Sequence, residues 1–211
     1  AFYDDILRHD VRPLTLGGDH TLSLPILRAM AKKHGPLALL HIDAHADINS
    51  HMFGEEIAHG TPFRRAFEEG LLDADHVFQI GLRGTGYTAE DFDWASERGF
   101  QVVQAEQLWH QSAAPLMDQI RQQIGARPVY LSFDIDSLDP AYAPGTGTPE
   151  IGGLTSIQAL EIIRGCRGLS LVGVDLVEVS PPYDTNGNTA LLAANLLFEM
   201  LCVLPGVAYR D

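Results

Sequence analysis

The chain has 211 residues, of which 45% are hydrophobic, so its length and composition predict a globular protein built around one domain-sized core. The net charge of −14 argues against nucleic acid or an anionic membrane as a partner, and it suits a cationic substrate or bound metal ions. No apolar stretch reaches transmembrane length, no signal peptide is recognisable, and the two cysteines form no C-x-x-C pair, so we expect a cytoplasmic protein.

Short apolar runs alternate with helical patterns along the whole chain. Strands are predicted, in chain order, over residues 12–16, 37–42, 77–81, 101–103, 129–133 and 171–177. Helices are predicted between and after them, over residues 21–34, 64–71, 89–98, 114–124, 155–165 and 189–203. Most of the strands are apolar on both faces, which is typical of a parallel sheet covered by helices on each side. We therefore expect an α/β fold, a three-layer α/β/α sandwich with a mainly parallel sheet.

No linker or internal repeat divides the sequence, so we expect residues 1–211 to form a single domain. The chain opens on AFYDDILRHD, without a Met, and this stretch resembles the middle or the end of a helix. We therefore expect that the domain lacks the N-terminal segment of a longer protein.

Acids and histidines follow the predicted strands at their carboxyl ends, in the stretches GGDH, HIDAHAD and DIDSLD. In HIDAHAD the acids and histidines fall at every second position, so an extended backbone points these side chains to one side. Because open α/β sheets bind ligands at the carboxyl ends of their strands, we expect one site there. Its candidate metal ligands are His20, Asp43, His45, Asp47, Asp134 and Asp136.

The chemistry of these side chains indicates a metal centre. Converging carboxylates repel each other unless something positive lies between them, and two divalent cations would neutralise four acids. Carboxylate and imidazole ligands together suit Mn²⁺, so we expect two Mn²⁺ per chain. The competing interpretation is that the acids are turn residues that follow strands. His41 lies one pleat deeper, and we expect it to support the site rather than to bind metal.

Five motifs occur in the order in which the ureohydrolases carry them: GGDH, DAHAD, HGTPF, SFDIDSLDPAYAPGTGTPEIGG and DLVEVSPPYD. The chain therefore resembles the arginase, agmatinase and guanidino-acid hydrolase family over nearly its whole length. The resemblance implies an arginase-like fold, a Mn²⁺ pair, hydrolysis of a guanidino group to urea and an amine, and a homo-oligomer, either trimer or hexamer. It also implies a ligand set in which Asp43 and Asp134 bridge, His20 and Asp47 complete one metal, and His45 and Asp136 complete the other.

The same resemblance implies three catalytic side chains. His59, in HGTPF, stands where the family places a proton-transfer histidine. Glu178 ends a strand and would pair with the planar guanidinium group of the substrate, although an internal salt bridge is its alternative role. Asp136 would share the protonation of the leaving amine with His59.

Residues 49–56 form the loop that we expect to meet the substrate tail. The loop is shorter than the hydroxyl-rich loop of the arginases, and it resembles that of the guanidinobutyrases. The predicted substrate is therefore 4-guanidinobutyrate, hydrolysed to 4-aminobutanoate and urea, with agmatine and then 3-guanidinopropionate as alternatives. Asn49 and Met52 are the predicted tail-binding residues, and Arg83 is a candidate partner for a carboxylate tail.

Two functions of other classes stay open. A single-zinc amide deacetylase of the same broad fold would not need His20 and all four acids. A non-catalytic relative could bind a guanidino compound without turnover. The metal content discriminates between the three: two Mn²⁺ per chain, one Zn²⁺, or no metal.

Overall fold

The computed structural model describes residues 2–86 and 93–208. A six-stranded sheet lies at its centre, with all strands parallel and in the order β1-β6-β5-β2-β3-β4. The strands are β1 (Leu14–Leu16), β2 (Leu37–Ile42), β3 (Leu72–Leu82), β4 (Gln101–Gln104), β5 (Pro128–Asp134) and β6 (Ser170–Val177). The predicted α/β fold with a mainly parallel sheet is confirmed.

Helices connect the strands and cover the sheet. In the described part of the chain the α-helices are α1 (Phe2–Ile6), α2 (Ser23–His34), α3 (Pro62–Glu68), α4 (Ala114–Ile124), α5 (Ser156–Gly165) and α6 (Asn188–Val203). The predicted helix over 89–98 lies partly outside the described residues, and its last part, Ser96–Arg98, is a short 3-10 turn. Within residues 2–86 and 93–208, no helix combines the length and the apolar character that a membrane span requires.

Two helix boundaries show how local chemistry set the elements. α5 starts after Thr155, whose side chain accepts a hydrogen bond from the Gln158 backbone while the Gln158 side chain accepts one from Thr155, as the predicted capping box requires. α3 starts two residues earlier than predicted because Pro62 can occupy a first turn, where no backbone donor is needed.

β3 is longer than predicted because its first residue, Leu72, pairs with Leu37 of β2, so the polar residues that follow Leu72 still belong to the strand.

Two hydrophobic clusters fill the space between the sheet and its helices. Leu39 packs with Leu27 of α2 and Phe63 of α3 on one face. Leu40, the next residue of β2, packs with Met117 of α4 and Ile162 of α5 on the other face. The alternation follows from the two-residue period of a strand, and it produces the predicted three layers.

Candidate metal centre

The acids and histidines of the predicted site converge at the carboxyl edge of the sheet. β2 ends at Ile42, directly before Asp43. β5 is the neighbour of β2 in the sheet, and its last residue is Asp134. A cavity of about 620 Å³ opens at this edge, and Asp47, Asp134 and Asp136 lie on its wall. Of the predicted ligands, five are buried and His45 is partly exposed. The ends of β1, β2 and β5 thus deliver the six side chains to one place, as the sequence analysis expects.

His20 lies at the centre of one half of the cluster. Its Nδ1 atom is 2.9 Å from Asp47 Oδ2, 3.1 Å from Asp43 Oδ2 and 3.2 Å from Asp134 Oδ2. Although three carboxylate oxygens surround it, this nitrogen has no hydrogen-bond partner of acceptable geometry within the described part of the chain. A buried nitrogen that faces three acids without a hydrogen bond fits a cation held between them.

His45 lies at the other half of the cluster. Its Nδ1 atom is 3.1 Å from Asp136 Oδ2 and 3.6 Å from Asp43 Oδ1. Asp43 therefore faces both histidines and is placed between the two halves. Among the residues that the structure describes, two groups of side chains have ligand atoms close enough to hold an ion. One is His20, His41, Asp43 and Asp47, and the other is Asp43, His45 and Asp136. The donor set of carboxylate oxygens and imidazole nitrogens suits a divalent metal such as Mn²⁺.

The pKa shifts of the acids also indicate a cation site. Burial raises the pKa of Asp134 well above its usual range, and the negative charges of Asp136 and Asp43 raise it further. Burial also raises the pKa of Asp136, with Asp43 adding to the effect. Without a positive charge between them, these carboxyls resist ionisation, so the site is built to be completed by cations.

Asp43 and Asp134 fit both interpretations of the acids, as turn residues and as metal ligands, because each role uses a different oxygen atom. Asp43 Oδ1 accepts a hydrogen bond of 2.6 Å from the His45 backbone, and Asp134 Oδ1 accepts one of 2.8 Å from the Asp136 backbone. Each therefore acts as a turn or cap residue through Oδ1. The Oδ2 atom of each faces His20. The local turns thus hold the carboxylates in the orientation that a metal would need.

His41 lies beneath the cluster, as its depth in β2 predicts. It is fully buried, and its Nε2 atom is 2.7 Å from Asp43 Oδ2. Gln79 on β3 donates to the Ala46 carbonyl at 2.7 Å and contacts His41 Nδ1 at 3.0 Å. Because the Ala46 carbonyl fixes the amide nitrogen of Gln79 on this side, His41 Nδ1 accepts and Nε2 donates to Asp43. His41 thus orients Asp43. The sequence analysis missed Gln79, although an amide within an apolar strand was a visible signal.

All three predicted catalytic side chains, His59, Asp136 and Glu178, line the cavity. Glu178 is half-buried, and burial raises the pKa of its carboxyl. Its Oε1 atom accepts a 2.7 Å hydrogen bond from the His20 backbone. The backbone φ of Glu178 is 67°, a left-handed conformation that costs a non-glycine residue energy. The ring of His59 packs against the ring of Phe53 at 6.0 Å between centroids.

The predicted tail-binding residues also lie on the cavity wall. The side-chain nitrogen of Asn49 donates to the Gly60 carbonyl at 3.1 Å, so this amide also holds the loop that carries His59. Met52 and Glu55 exchange two backbone hydrogen bonds of 2.9 Å around a tight turn. The turn places Phe53 and Gly54 at φ of 54° and 83°, which leaves Phe53 exposed at its tip.

The prediction that Arg83 receives a carboxylate tail is wrong. Every nitrogen of its guanidinium group donates to backbone carbonyls at 2.7–3.3 Å, and these belong to Gly81, Asp136, Ser137, Leu138, Glu150 and Ile151. The side chain ties the turn of Asp136 to the loop of Glu150, and no donor remains for a ligand. An arginine that satisfies scattered carbonyls has no local sequence pattern, so only the fold could reveal this role.

Comparisons with known proteins agree with the geometry. A family model described as the arginase family matches residues 1–202 of the chain. A guanidinobutyrase of Pseudomonas aeruginosa is 72% identical over 208 residues, covering 99% of this chain and 65% of the relative. A mitochondrial agmatinase of Gallus gallus is 62% identical over 205 residues, covering 97% of this chain and 60% of the relative. The chain thus spans less than two thirds of the length of these curated relatives.

The fold comparison gives the same answer. The solved structure of proclavaminate amidino hydrolase from Streptomyces clavuligerus superimposes with a TM-score of 0.88 at 43% sequence identity, covering 94% of this chain and 67% of that structure. The family match extends over almost all of the residues that form the sheet, the helices and the candidate metal centre. The chain belongs to the arginase family.

Proposed function

We propose that this chain forms the catalytic domain of a ureohydrolase that binds two Mn²⁺ and hydrolyses 4-guanidinobutyrate to 4-aminobutanoate and urea. The observation that carries the proposal is the convergence of four acids and two histidines at one sheet edge, with the unpartnered His20 nitrogen among them. Membership of the arginase family supports the reaction class.

The proposed ligands divide into two sets that share carboxylates. His20 and Asp47 would belong to one metal, His45 and Asp136 to the other, and Asp43 and Asp134 would bridge. The contacts of Asp43 with both histidines support its place between the sets. A bound pair of divalent cations supplies a water of lowered pKa, and hence a hydroxide nucleophile near neutral pH.

The protein's own side chains would hold the substrate and move its protons. Glu178 has one oxygen on the His20 backbone, and its other oxygen is left to face the guanidinium group. A carboxylate binds a guanidinium through short, charge-assisted hydrogen bonds, which would orient the carbon toward the metal centre. His59, half-buried on the cavity wall, would exchange protons between solvent and the leaving amine, and Asp136 would assist from the metal side.

The relatives and the cavity wall support the assignment of the substrate tail. Identity of 72% to a guanidinobutyrase against 62% to an agmatinase supports a carboxylate tail. Met52 on the wall would pack against the alkyl chain, because its thioether is apolar and adaptable. A second candidate, agmatine, is favoured by the acids Glu106 and Glu150, which also line the cavity and would attract a cationic tail.

Urea release tests both levels of the proposal. Full-length, Mn²⁺-loaded protein should be assayed with 4-guanidinobutyrate, agmatine, 3-guanidinopropionate and arginine, and kcat/KM compared. We expect the highest value with 4-guanidinobutyrate. A tenfold preference for agmatine would overturn the tail assignment and leave the reaction class intact. No urea from any of the four, or one Zn²⁺ per chain by elemental analysis, would overturn the ureohydrolase proposal itself.

A further inference from the structure

A row of polar side chains crosses the sheet beneath the candidate metal centre. Thr15, Asp175, Ser132, His41 and Gln79 are register partners in turn, on β1, β6, β5, β2 and β3. The last four of them are fully buried. Residues two positions further along a strand share the same face, so Asp43 follows His41 and Asp134 follows Ser132. The row therefore forms the layer directly under the proposed ligands.

Asp175 is the buried acid of this row, and its partners are hydroxyl groups. Its carboxylate accepts hydrogen bonds of 2.7 Å from Ser23, Tyr130 and Ser132. Among the described residues it forms no ion pair with Lys, Arg or His. Each of these hydroxyls donates its single proton to Asp175, so none of them has a second proton to donate elsewhere.

The contact of Ser132 with His20 then has one possible direction. Ser132 Oγ lies 2.8 Å from His20 Nε2. Because the Ser132 proton is directed to Asp175 Oδ1, the oxygen can only accept from His20, and the proton of a neutral imidazole must be on Nε2. The lone pair is then on Nδ1, the atom that faces Asp43, Asp47 and Asp134.

We propose that Asp175 is a positioning residue for the metal centre, which acts through Ser132 to hold His20 in the tautomer whose Nδ1 lone pair binds the metal. This inference rests on the metal site of the proposed function and adds two residues, Ser132 and Asp175, that are not themselves proposed metal ligands. A hydrogen-bond acceptor behind the imidazole also makes it a stronger metal ligand, as the acceptors behind metal-bound histidines do.

A pair of matched variants separates this role from a general role in packing. Ser132→Ala and Ser23→Ala each remove one hydroxyl and one 2.7 Å hydrogen bond to Asp175. Of the two serines, only Ser132 contacts His20. Both serines are fully buried, so the change in packing is similar. Asp175→Asn keeps the volume of the side chain and removes its charge in either orientation of the amide.

The measurement is a Mn²⁺ titration of full-length protein, with free Mn²⁺ followed by electron paramagnetic resonance. We expect Ser132→Ala and Asp175→Asn to weaken the binding of one of the two Mn²⁺ ions by about ten- to a hundredfold, which is the usual effect of removing such a supporting group. Ser23→Ala should bind both ions with the affinity of the wild type. Thermal unfolding in the presence of chelator should show similar stability for the two serine variants, which keeps the comparison independent of folding.

A spectroscopic test reads the tautomer directly. In protein labelled with ¹⁵N-histidine and loaded with diamagnetic Zn²⁺, His20 should carry its proton on Nε2 in the wild type and in Ser23→Ala. A proton on Nδ1 would overturn the inference, as would equal weakening by Ser23→Ala and Ser132→Ala or unchanged Mn²⁺ binding by Asp175→Asn. If the wild type binds no metal, both this inference and the proposed function are overturned. If the wild type and the variants all bind two ions equally well, only this inference is overturned.

Discussion

Replacing Glu178 by Gln tests the proposed guanidinium site with the smallest change of shape. In the structure one carboxylate oxygen of Glu178 accepts a 2.7 Å hydrogen bond from the His20 backbone. The amide oxygen of Gln can accept the same bond, which turns its NH₂ group toward the substrate. A donor would then face the guanidinium donors, so at least one charge-assisted hydrogen bond is lost.

The expected loss of activity follows from the loss of one charge-assisted hydrogen bond. A hydrogen bond to a charged group contributes about 1.5–3 kcal/mol. Since about 1.36 kcal/mol corresponds to a factor of ten, kcat/KM should fall by roughly ten- to 150-fold. The assay is urea release from 4-guanidinobutyrate at saturating Mn²⁺. The Mn²⁺ affinity should not change, because the bond to the His20 backbone is retained.

Glu69→Gln is the matched control. It removes the same charge from a carboxylate that pairs with the Arg28 guanidinium at 2.6 Å on the protein surface. Surface ion pairs contribute about 0–1 kcal/mol to stability, so this variant should keep its kcat/KM. Unchanged kcat/KM in Glu178→Gln, or an equal loss in both variants, would refute the guanidinium role of Glu178.

Three further predictions address the metal, the loops and the core. Asp134→Asn should abolish urea release, and chelation should do the same to the wild type until Mn²⁺ is restored; wild-type rates in the variant would contradict the bridging role. Arg83→Lys should lower the free energy of unfolding by about 1–3 kcal/mol in urea denaturation, because an ammonium cannot satisfy the carbonyls around the guanidinium, and an unchanged midpoint would show that these bonds contribute nothing. Burial raises the pKa of Cys166 to about 12, so its thiolate fraction at pH 8 is only about 10⁻⁴, and a thiol reagent should label it only after unfolding.

The sequence by itself determined the fold class and the membership of the candidate site. Strand and helix patterns are local, because a buried strand needs a continuous apolar run and a helix needs its own caps, as Thr155 shows. The two-residue period of HIDAHAD is also local, and it correctly placed Asp43 on the same face as His41. The expectation of an extended backbone beyond Asp43 was wrong: β2 ends at Ile42, and a turn from Asp43 to His45 brings the remaining side chains to the site. The repulsion between four converging carboxylates then indicated cations among them.

Only the tertiary structure decided which atoms of these residues meet. Arg83 was predicted to face the substrate, but the carbonyls that occupy it come from segments more than fifty residues away. Asp175 and Ser132 each begin one of the quoted motifs, but their contact could not be predicted from those motifs. A hydrogen bond across neighbouring strands depends on register, and register depends on the packing of the whole sheet. Local patterns select the residue types of the centre, whereas the orientation of each lone pair follows from long-range contacts.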